Sequence, residues 1–251
     1  KNISKFSSGL TINKKTGRKI KCILPMHTFG HPCDMEEIQK VANEFNLPVI
    51  EDAAESLGSY YKNTHTGTIG KIGVLSFNGN KIATTGGGGA ILTNDKNLAE
   101  IANHITTTAK IKHKWAFIHD QIGYNYRMPN INAALGCAQL EKLPQFLISK
   151  RKLYLKYLRA FQDIENVELF CEPRDTLSNY WLQTILLNRT VSHKRELILN
   201  HTNYLGIGTR PAWNLLHTLK PFQKSPRDEL KTSLSLFERI INLPSSSSII
   251  K

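Results

Sequence analysis

Two polar residues that could do chemistry, Asp52 and Lys81, each follow a predicted strand. Asp52 ends the apolar stretch 48–52, and open α/β sheets bind their ligands beyond the carboxyl ends of such strands. An acid at this point can bind a ribose, a metal ion or a protonated ring nitrogen. Taken alone, Asp52 would more simply cap the segment that follows it.

Lys81 stands at the exit of the predicted strand 74–77, within the sequence SFNGNK. A lysine that is partly desolvated there can lose its proton and attack a carbonyl group, whereas the usual solvated loop lysine cannot. The four consecutive glycines 86–89 permit backbone geometries that other residues avoid. They match neither of the common nucleotide-binding glycine motifs, so they give weak support for a nucleotide cradle.

The composition is that of a folded protein, because 40% of the 251 residues are hydrophobic and 21% are charged. The formal charge is +13, but the basic residues are dispersed and no nucleic-acid-binding motif accompanies them. We therefore expect no nucleic-acid partner. A positive field also suits a small anionic ligand that carries phosphate groups.

Apolar runs in the sequence are far shorter than the ~20 residues that cross a bilayer, and the first residues lack the apolar stretch of a signal peptide. We therefore expect a cytoplasmic protein without a membrane partner. The four cysteines form no C-x-x-C pair, which predicts reduced thiols. His27, His31 and Cys33 lie close together, but no fourth ligand is evident, and we expect no metal site.

Alternating strand and helix patterns predict an α/β fold for the first part of the chain. Segment 21–26 is predicted as a buried strand, Asp34 as the cap of a helix with Glu37 at the capping-box position, and 48–52 as the next strand. Such a unit builds parallel sheets. The further predicted elements are strands over 74–77 and 90–93, a helix over 95–105, and a helical pattern from 130 to about 162 that Pro144 interrupts.

The pattern changes after this long helical segment. The later predicted elements are strands over 168–170 and 180–187, a helix over 192–204, a strand over 207–209, and a helix that begins at Ser225 with Pro226 and Asp228. We therefore predict two domains: a large α/β domain over residues 1–150 and a smaller α+β domain over residues 151–251.

Several motifs occur in a fixed order over essentially the whole chain. They are EDAAES (51–56), SFNGNK (76–81) with the glycines 86–89, GYNYRMP (123–129) with 132–140, and RPAW (210–213) with NLPS (242–245). Together they closely resemble the DegT/StrS-type sugar aminotransferases, which are pyridoxal-phosphate enzymes of aspartate-aminotransferase fold. The resemblance implies a PLP-dependent transferase of fold type I, with a mostly parallel sheet flanked by helices in a large, cofactor-binding domain. It is nearest to the branch that aminates UDP-linked 4-keto-6-deoxy-N-acetylhexosamines on the way to legionaminic-acid-like surface sugars.

The resemblance also implies a role for individual residues. Lys81 would bind the cofactor covalently and carry the proton between substrate and cofactor. Asp52 would keep the pyridine nitrogen protonated, Ala54 would lay its methyl group on the ring, and Ser76 would bind the phosphate. Asn125 would reach the phosphate of the neighbouring subunit's cofactor, which implies a homodimer with shared active sites.

Three charged residues keep more than one interpretation. Glu55 would lie near the phenolic oxygen of the cofactor, and because an ionised carboxylate would repel a phenolate, it is protonated, bridged or turned away. Arg127 lies near the site through its spacing from Asn125, or else forms a structural ion pair. Arg210 clamps the donor's carboxylate or the diphosphate of a nucleotide, or is a solvated loop residue.

The resemblance implies ping-pong transamination, with glutamate as the expected donor and a nucleotide-linked 4-keto-6-deoxysugar as the acceptor, for surface polysaccharide or glycan biosynthesis. One alternative is a PLP-dependent deoxysugar dehydratase. Such siblings have histidine where Lys81 stands, so the lysine argues against it. The other alternative is an inactive or binding-only fragment, because the chain opens on Lys1 and we find no upstream Gly-Thr phosphate turn. The large domain is accordingly expected to lack its N-terminal part.

Overall fold

The computed structural model describes residues 3–7 and 9–250, which form two compact units. The large unit comprises Lys21–Gln145 and Arg174–Asn179, and the C-terminal unit comprises Lys1–Ile20, Phe146–Pro173 and Tyr180–Lys251. The two domains predicted over residues 1–150 and 151–251 stay a prediction.

The strands are short and distributed along the whole chain. In order they are β1 (Ser4–Ser7), β2 (Leu10–Asn13), β3 (Ile50–Asp52), β4 (Tyr60–Tyr61), β5 (Thr64–His65), β6 (Ile72–Ser76), β7 (Gly89–Leu92), β8 (Lys110–Ile111), β9 (Ile118–His119), β10 (Val167–Leu169), β11 (Thr176–Leu177), β12 (Gln183–Leu187), β13 (Arg210–Pro211) and β14 (Ile240–Leu243).

The α-helices are α1 (Met35–Glu44), α2 (Lys96–Thr106), α3 (Asn130–Glu141), α4 (Leu143–Phe161), α5 (Arg195–Tyr204) and α6 (Lys231–Phe237). Short 3-10 helices occupy Thr28–Gly30, Arg189–Lys194, Leu216–Thr218 and Lys220–Phe222. In the part of the chain that the structure describes, no helix is long and apolar enough to cross a membrane.

The central sheet of the large unit has the order β3-β6-β7. Strands β3 and β6 are parallel, and β7 runs antiparallel to β6. The predicted strand 21–26 is wrong as a continuous strand, since that segment forms isolated parallel bridges, from Ile23 to Val49 just before β3 and from Met26 to Asp52 of β3. Pro25 has no N–H to donate to a ladder, which explains the interruption. The strand–helix–strand order is nevertheless the predicted one.

Helix α1 begins where the sequence predicts it. The side chain of Asp34 accepts the Glu37 backbone N–H at 3.1 Å and so caps the helix. Met35 and Ala42 are buried with Val49 in the core of this unit. The predicted break at Pro144 is also confirmed, because α3 ends at Glu141 and α4 begins at Leu143, so that proline lies in the first turn of α4, where its missing N–H costs nothing.

The C-terminal unit contains an antiparallel sheet of order β10-β12-β14-β13, with a core built from Tyr154 of α4 and apolar residues of the strands. The predicted helix from Ser225 is wrong, since α6 begins only at Lys231, after Leu230 at φ 56°. Residues 221–229 are exposed, so no buried apolar face stabilises helical turns there. The predicted strand at 207–209 is displaced to β13.

Candidate functional site

The carboxyl ends of β3 and β6 lie at the same edge of the central sheet. Asp52 is the last residue of β3 and pairs with Val74, and Ser76 is the last residue of β6. The Asp52 carboxylate accepts the Ala54 N–H at 3.1 Å, which fixes the start of the following loop. Two parallel strands thus present an acid and a hydroxyl at the edge where open α/β sheets bind ligands.

Buried Glu55 and partly buried Lys81 form an ion pair beside this edge. The Lys81 Nζ lies 3.7 Å from Glu55 Oε1, and the two side chains are 13% and 9% exposed. The other oxygen of Glu55 accepts the backbone N–H of Phe29 at 2.7 Å. Burial raises the pKa of Glu55, against the opposing effects of the Phe29 N–H and the Lys81 charge. The two oxygens of Glu55 thus face the Phe29 N–H and Lys81 Nζ, and the interpretations of its role toward a cofactor stay predictions.

A tight turn presents Lys81 to the site. The Lys81 N–H donates to Asn78 O at 3.0 Å, and the Phe77 N–H donates to Gly88 O at 2.9 Å, so that the glycine stretch folds back against the end of β6. Gly86 (φ +78°) and Gly88 (φ +115°) have backbone conformations that other residues rarely adopt. The glycines therefore shape the turn around the lysine rather than a helix N-terminus.

Asn125 and Arg127 are exposed residues of the large unit. The segment that carries Asn125 is held by a bridge to Thr107. Arg127 lines a pocket of about 730 Å³ together with Lys110, Lys112 and His113. This pocket concentrates positive charge and could hold an anion.

Arg210 belongs to β13 of the C-terminal unit. Its Nη1 donates to Asn203 Oδ1 at 2.6 Å and to Thr209 O at 2.7 Å. The side chain is therefore held by neighbours on its own unit while the residue stays exposed.

His27 has a structural role in the large unit. Its Nδ1 accepts the Cys33 N–H at 3.0 Å, so the opposite nitrogen carries the proton that it shares with Glu51 Oε2 at 3.0 Å. Both ring nitrogens are engaged, which leaves none for a metal. Within residues 3–7 and 9–250, no group of three or more His, Cys, Asp and Glu side chains could hold a metal ion.

Phe29 and Asn179 are site residues that the sequence reasoning missed. Phe29 supplies the N–H that anchors Glu55, and Asn179, 1% exposed, donates its side-chain amide to the Glu55 carbonyl oxygen at 2.9 Å. Asn179 lies 124 positions from Glu55 in the sequence. No local signal marks either residue, because each contacts Glu55 from a distant position in the sequence.

Known proteins resemble this chain over nearly its full length. The model of the DegT/DnrJ/EryC1/StrS aminotransferase family matches residues 8–251. A GDP-perosamine synthase of Escherichia coli O157:H7 is 42% identical over 242 residues, which are 95% of this chain and 64% of that protein. A GDP-perosamine synthase of Caulobacter vibrioides is 34% identical, over 92% of this chain and 62% of that protein.

Solved structures agree with the sequence relatives. Helicobacter pylori PseC, an aminotransferase involved in the biosynthesis of pseudoaminic acid, superposes with a TM-score of 0.87 at 26% identity, over 93% of this chain and 64% of that one. A Brucella abortus aminotransferase of the same family gives a TM-score of 0.83 at 26% identity, over 93% of this chain and 61% of that one. This chain spans a little under two thirds of the length of these relatives.

Proposed function

The chain belongs to the DegT/DnrJ/EryC1/StrS aminotransferase family, whose cofactor is pyridoxal 5′-phosphate and whose fold is that of PLP-dependent transferases of type I, and we propose that it transfers an amino group from an amino-acid donor to a nucleotide-linked 4-keto-6-deoxysugar. The observation that carries this proposal is the buried Lys81–Glu55 pair beside the edge that Asp52 and Ser76 form. Such a transfer requires a partly desolvated amine, and Lys81 is the lysine of the family motif.

The residues at this edge fit the cofactor by their chemistry. Lys81, whose side chain is 13% exposed, offers an amine, Asp52 a carboxylate for a ring nitrogen, and Ser76 a hydroxyl for a phosphate oxygen. Pyridoxal 5′-phosphate, when bound, supplies an electron-accepting ring that stabilises negative charge on the donor's α-carbon. The same edge of the fold therefore carries all three kinds of group.

The protein's own side chains then perform distinct steps. Lys81 would hold the cofactor through its amine and, when the donor takes that place, would carry a proton from the donor's α-carbon. Asp52 would keep the ring nitrogen protonated, and Ala54 would lay its methyl group on the ring. Glu55 would lie near the phenolic oxygen, and its ion pair with Lys81 would limit charge repulsion there.

The substrates are the finer part of the proposal. Glutamate is the proposed donor, and Arg127 and Arg210 are the proposed substrate-binding residues. The basic pocket of Arg127, Lys110 and Lys112 supports an acceptor that carries phosphate groups. A UDP-linked N-acetylhexosamine stays the prediction from the sequence, and the names of the GDP-perosamine synthases favour a GDP-linked sugar as the alternative. The product would serve surface polysaccharide or lipopolysaccharide assembly in the cytoplasm.

A homodimer with shared sites is part of the same proposal. Exposed large apolar residues surround Asn125 in the sequence: Trp115 (78% exposed), Phe117 (80%), Ile122 (85%), Tyr126 (72%) and Ile131 (81%). Aromatic and aliphatic side chains this exposed are typical of a surface that a partner covers. The exposed amide of Asn125 would then reach the phosphate in the partner subunit.

The direct test of the proposal is cofactor attachment. Purified protein is incubated with pyridoxal 5′-phosphate, reduced with borohydride and digested, and the pyridoxyl group is located by peptide mass spectrometry. We expect it on Lys81, and we expect Lys81→Ala to abolish that label while Lys71→Ala, at an exposed lysine of the same unit, retains it. A label spread over surface lysines would refute the assignment of Lys81.

The amino transfer is tested separately with glutamate and two acceptors, one UDP-linked and one GDP-linked 4-keto-6-deoxysugar. Formation of 2-oxoglutarate that depends on one acceptor supports the proposal and identifies the nucleotide. Labelled Lys81 without transfer to either acceptor would favour a binding-only protein.

A further inference from the structure

Asn179 joins the loop that carries Ala54 and Glu55 to a segment from much later in the chain. Its side-chain Nδ2 donates to Glu55 O and to Leu57 O, both at 2.9 Å. Asn179 belongs to Arg174–Asn179, the segment between β10 and β12 that packs in the large unit and pairs through β11 with β4. The two N–H groups of this buried amide therefore hold the loop 53–59 in place, and we call this pair of hydrogen bonds the Asn179 clamp.

Two serines extend this clamp to the turn at 28–30. The Asn179 N–H donates to Ser59 Oγ at 2.9 Å, and Ser59 Oγ donates to Gly30 O at 2.7 Å. Ser178 Oγ donates to the same Gly30 oxygen at 2.9 Å. Ser59, Ser178 and Asn179 are all buried, at 0%, 5% and 1% exposure. A buried network in which these groups find partners holds a single geometry well.

The turn at 28–30 in turn fixes the carboxyl group of Glu55. Phe29, 5% exposed, has φ 59° and ψ 12°, a left-handed conformation that costs a bulky residue free energy. In this conformation its N–H donates to Glu55 Oε2 at 2.7 Å. The opposite oxygen then faces Lys81 Nζ at 3.7 Å. The segment 174–179 thus reaches Lys81 through the backbone and the side chain of a single residue, Glu55.

We propose that Asn179 is a positioning residue for the reactive amine: its amide fixes the loop that holds Glu55, and Glu55 holds Lys81 in the direction from which it attacks. The importance of that amine rests on the proposed function. The positioning itself is a property of the cofactor-free protein and can be measured without any turnover. In this scheme Asn179 acts on Lys81 through Glu55.

The experiment measures how fast Lys81 is methylated by formaldehyde and cyanoborohydride in the cofactor-free protein at one fixed pH. Peptide mass spectrometry compares Lys81 with exposed Lys71 in the same sample. We expect Asn179→Ala to accelerate the methylation of Lys81 by about threefold or more, because the amine leaves its partner and its burial. Asn179→Asp keeps the shape of the side chain but lacks both N–H donors, and should have the same effect.

Glu55→Gln tests the route of this coupling. It removes the charge that faces Lys81 and should itself accelerate the methylation, while the double variant Asn179→Ala/Glu55→Gln should react no faster than Glu55→Gln alone. The matched control is Asn242→Ala in the C-terminal unit, where a 6% exposed asparagine accepts a hydrogen bond from Thr184. Its loss should leave Lys81 unchanged.

Several results would overturn the inference. These are an unchanged rate in folded Asn179→Asp, additive effects in the double variant, or an equal acceleration in Asn242→Ala, which would indicate general loosening. Accelerated methylation in a protein that binds no pyridoxal 5′-phosphate would uphold the positioning and refute only the proposed function. Attachment of the cofactor to Lys81 together with an unchanged methylation rate in Asn179→Asp would support the proposed function and refute the positioning by Asn179.

Discussion

Lys150 is a buried lysine whose partners are backbone oxygens, and it makes a quantitative test of the C-terminal unit possible. The residue is 5% exposed on α4, and its Nζ donates to Trp181 O at 2.7 Å and to Ser245 O. Among residues 3–7 and 9–250, no carboxylate forms an ion pair with it. Burial lowers the pKa of Lys150 to about 8 from its ordinary 10.5.

This shift predicts how stability depends on pH. Between about pH 8 and 10.5 the unfolded chain binds the proton more tightly than the folded chain. The free energy of unfolding therefore rises with pH in that window, by up to about 3 kcal/mol for a pKa that burial lowers from 10.5 to about 8. Below this window the penalty for burying the charge is constant.

Lys150→Met separates the charge from the hydrogen bonds. At neutral pH the variant escapes a burial cost of about 3 kcal/mol but leaves two carbonyl oxygens without this donor, at about 1–3 kcal/mol each. These effects nearly cancel, so the free energy of unfolding at neutral pH does not distinguish the variant from wild type. The slope with pH is decisive, because the rise above pH 8 should disappear in the variant.

The assay is urea unfolding followed by the fluorescence of Trp181, which is 3% exposed in the same unit, at a series of pH values from neutral to alkaline. Lys152→Met, at an exposed position two residues along α4, should keep the wild-type slope. If Lys150→Met also keeps it, some other group titrates and the reasoning about Lys150 is refuted.

Two further predictions concern the site. Gly88→Ala should lower the free energy of unfolding by about 1–2 kcal/mol, since its φ is +115° and a Cβ would lie 3.0 Å from Met128 Cε. The control Gly87→Ala, whose Cβ would meet nothing within 4 Å, should stay within about 0.5 kcal/mol of wild type. Equal urea midpoints for the two variants would contradict this. Mixing inactive Lys81→Ala with inactive Asn125→Asp subunits should restore part of the transfer activity, because one site of the heterodimer then has both intact residues. A verified heterodimer without activity would remove Asn125 from a shared site.

Local signals in the sequence predicted those elements whose cause is local. The cap at Asp34, the break at Pro144 and the strand that ends at Asp52 depend on neighbours within a few positions, and all three are present. The helix predicted from Ser225 failed because cap and proline signals describe only a helix start. Without an apolar face to bury, residues 225–230 do not form one.

The sequence predicts individual residues of the candidate site but not the contacts among them. Strand ends indicated Asp52 and Lys81, and the family resemblance indicated Ser76. Phe29 and Asn179 were invisible, because a backbone N–H has no residue-type signature and a lone asparagine in a loop is common. Their contacts with Glu55 span 26 and 124 positions, respectively, and only the folded chain brings them together.

Glu51 and Glu55 show why the motif EDAAE alone could not assign roles to its two glutamates. Burial alone would raise the pKa of Glu51, but hydrogen bonds from His27 and from the backbone N–H groups of Gly70 and Gly67 hold it below its usual value. Glu55 receives one backbone N–H and faces one lysine, and burial holds its pKa above the usual value. The number of donors thus explains why the pKa of one buried carboxyl group is lowered and that of the other is raised. The two acids lie four positions apart in the sequence and are both buried, and their different hydrogen-bond partners give their pKa values opposite shifts.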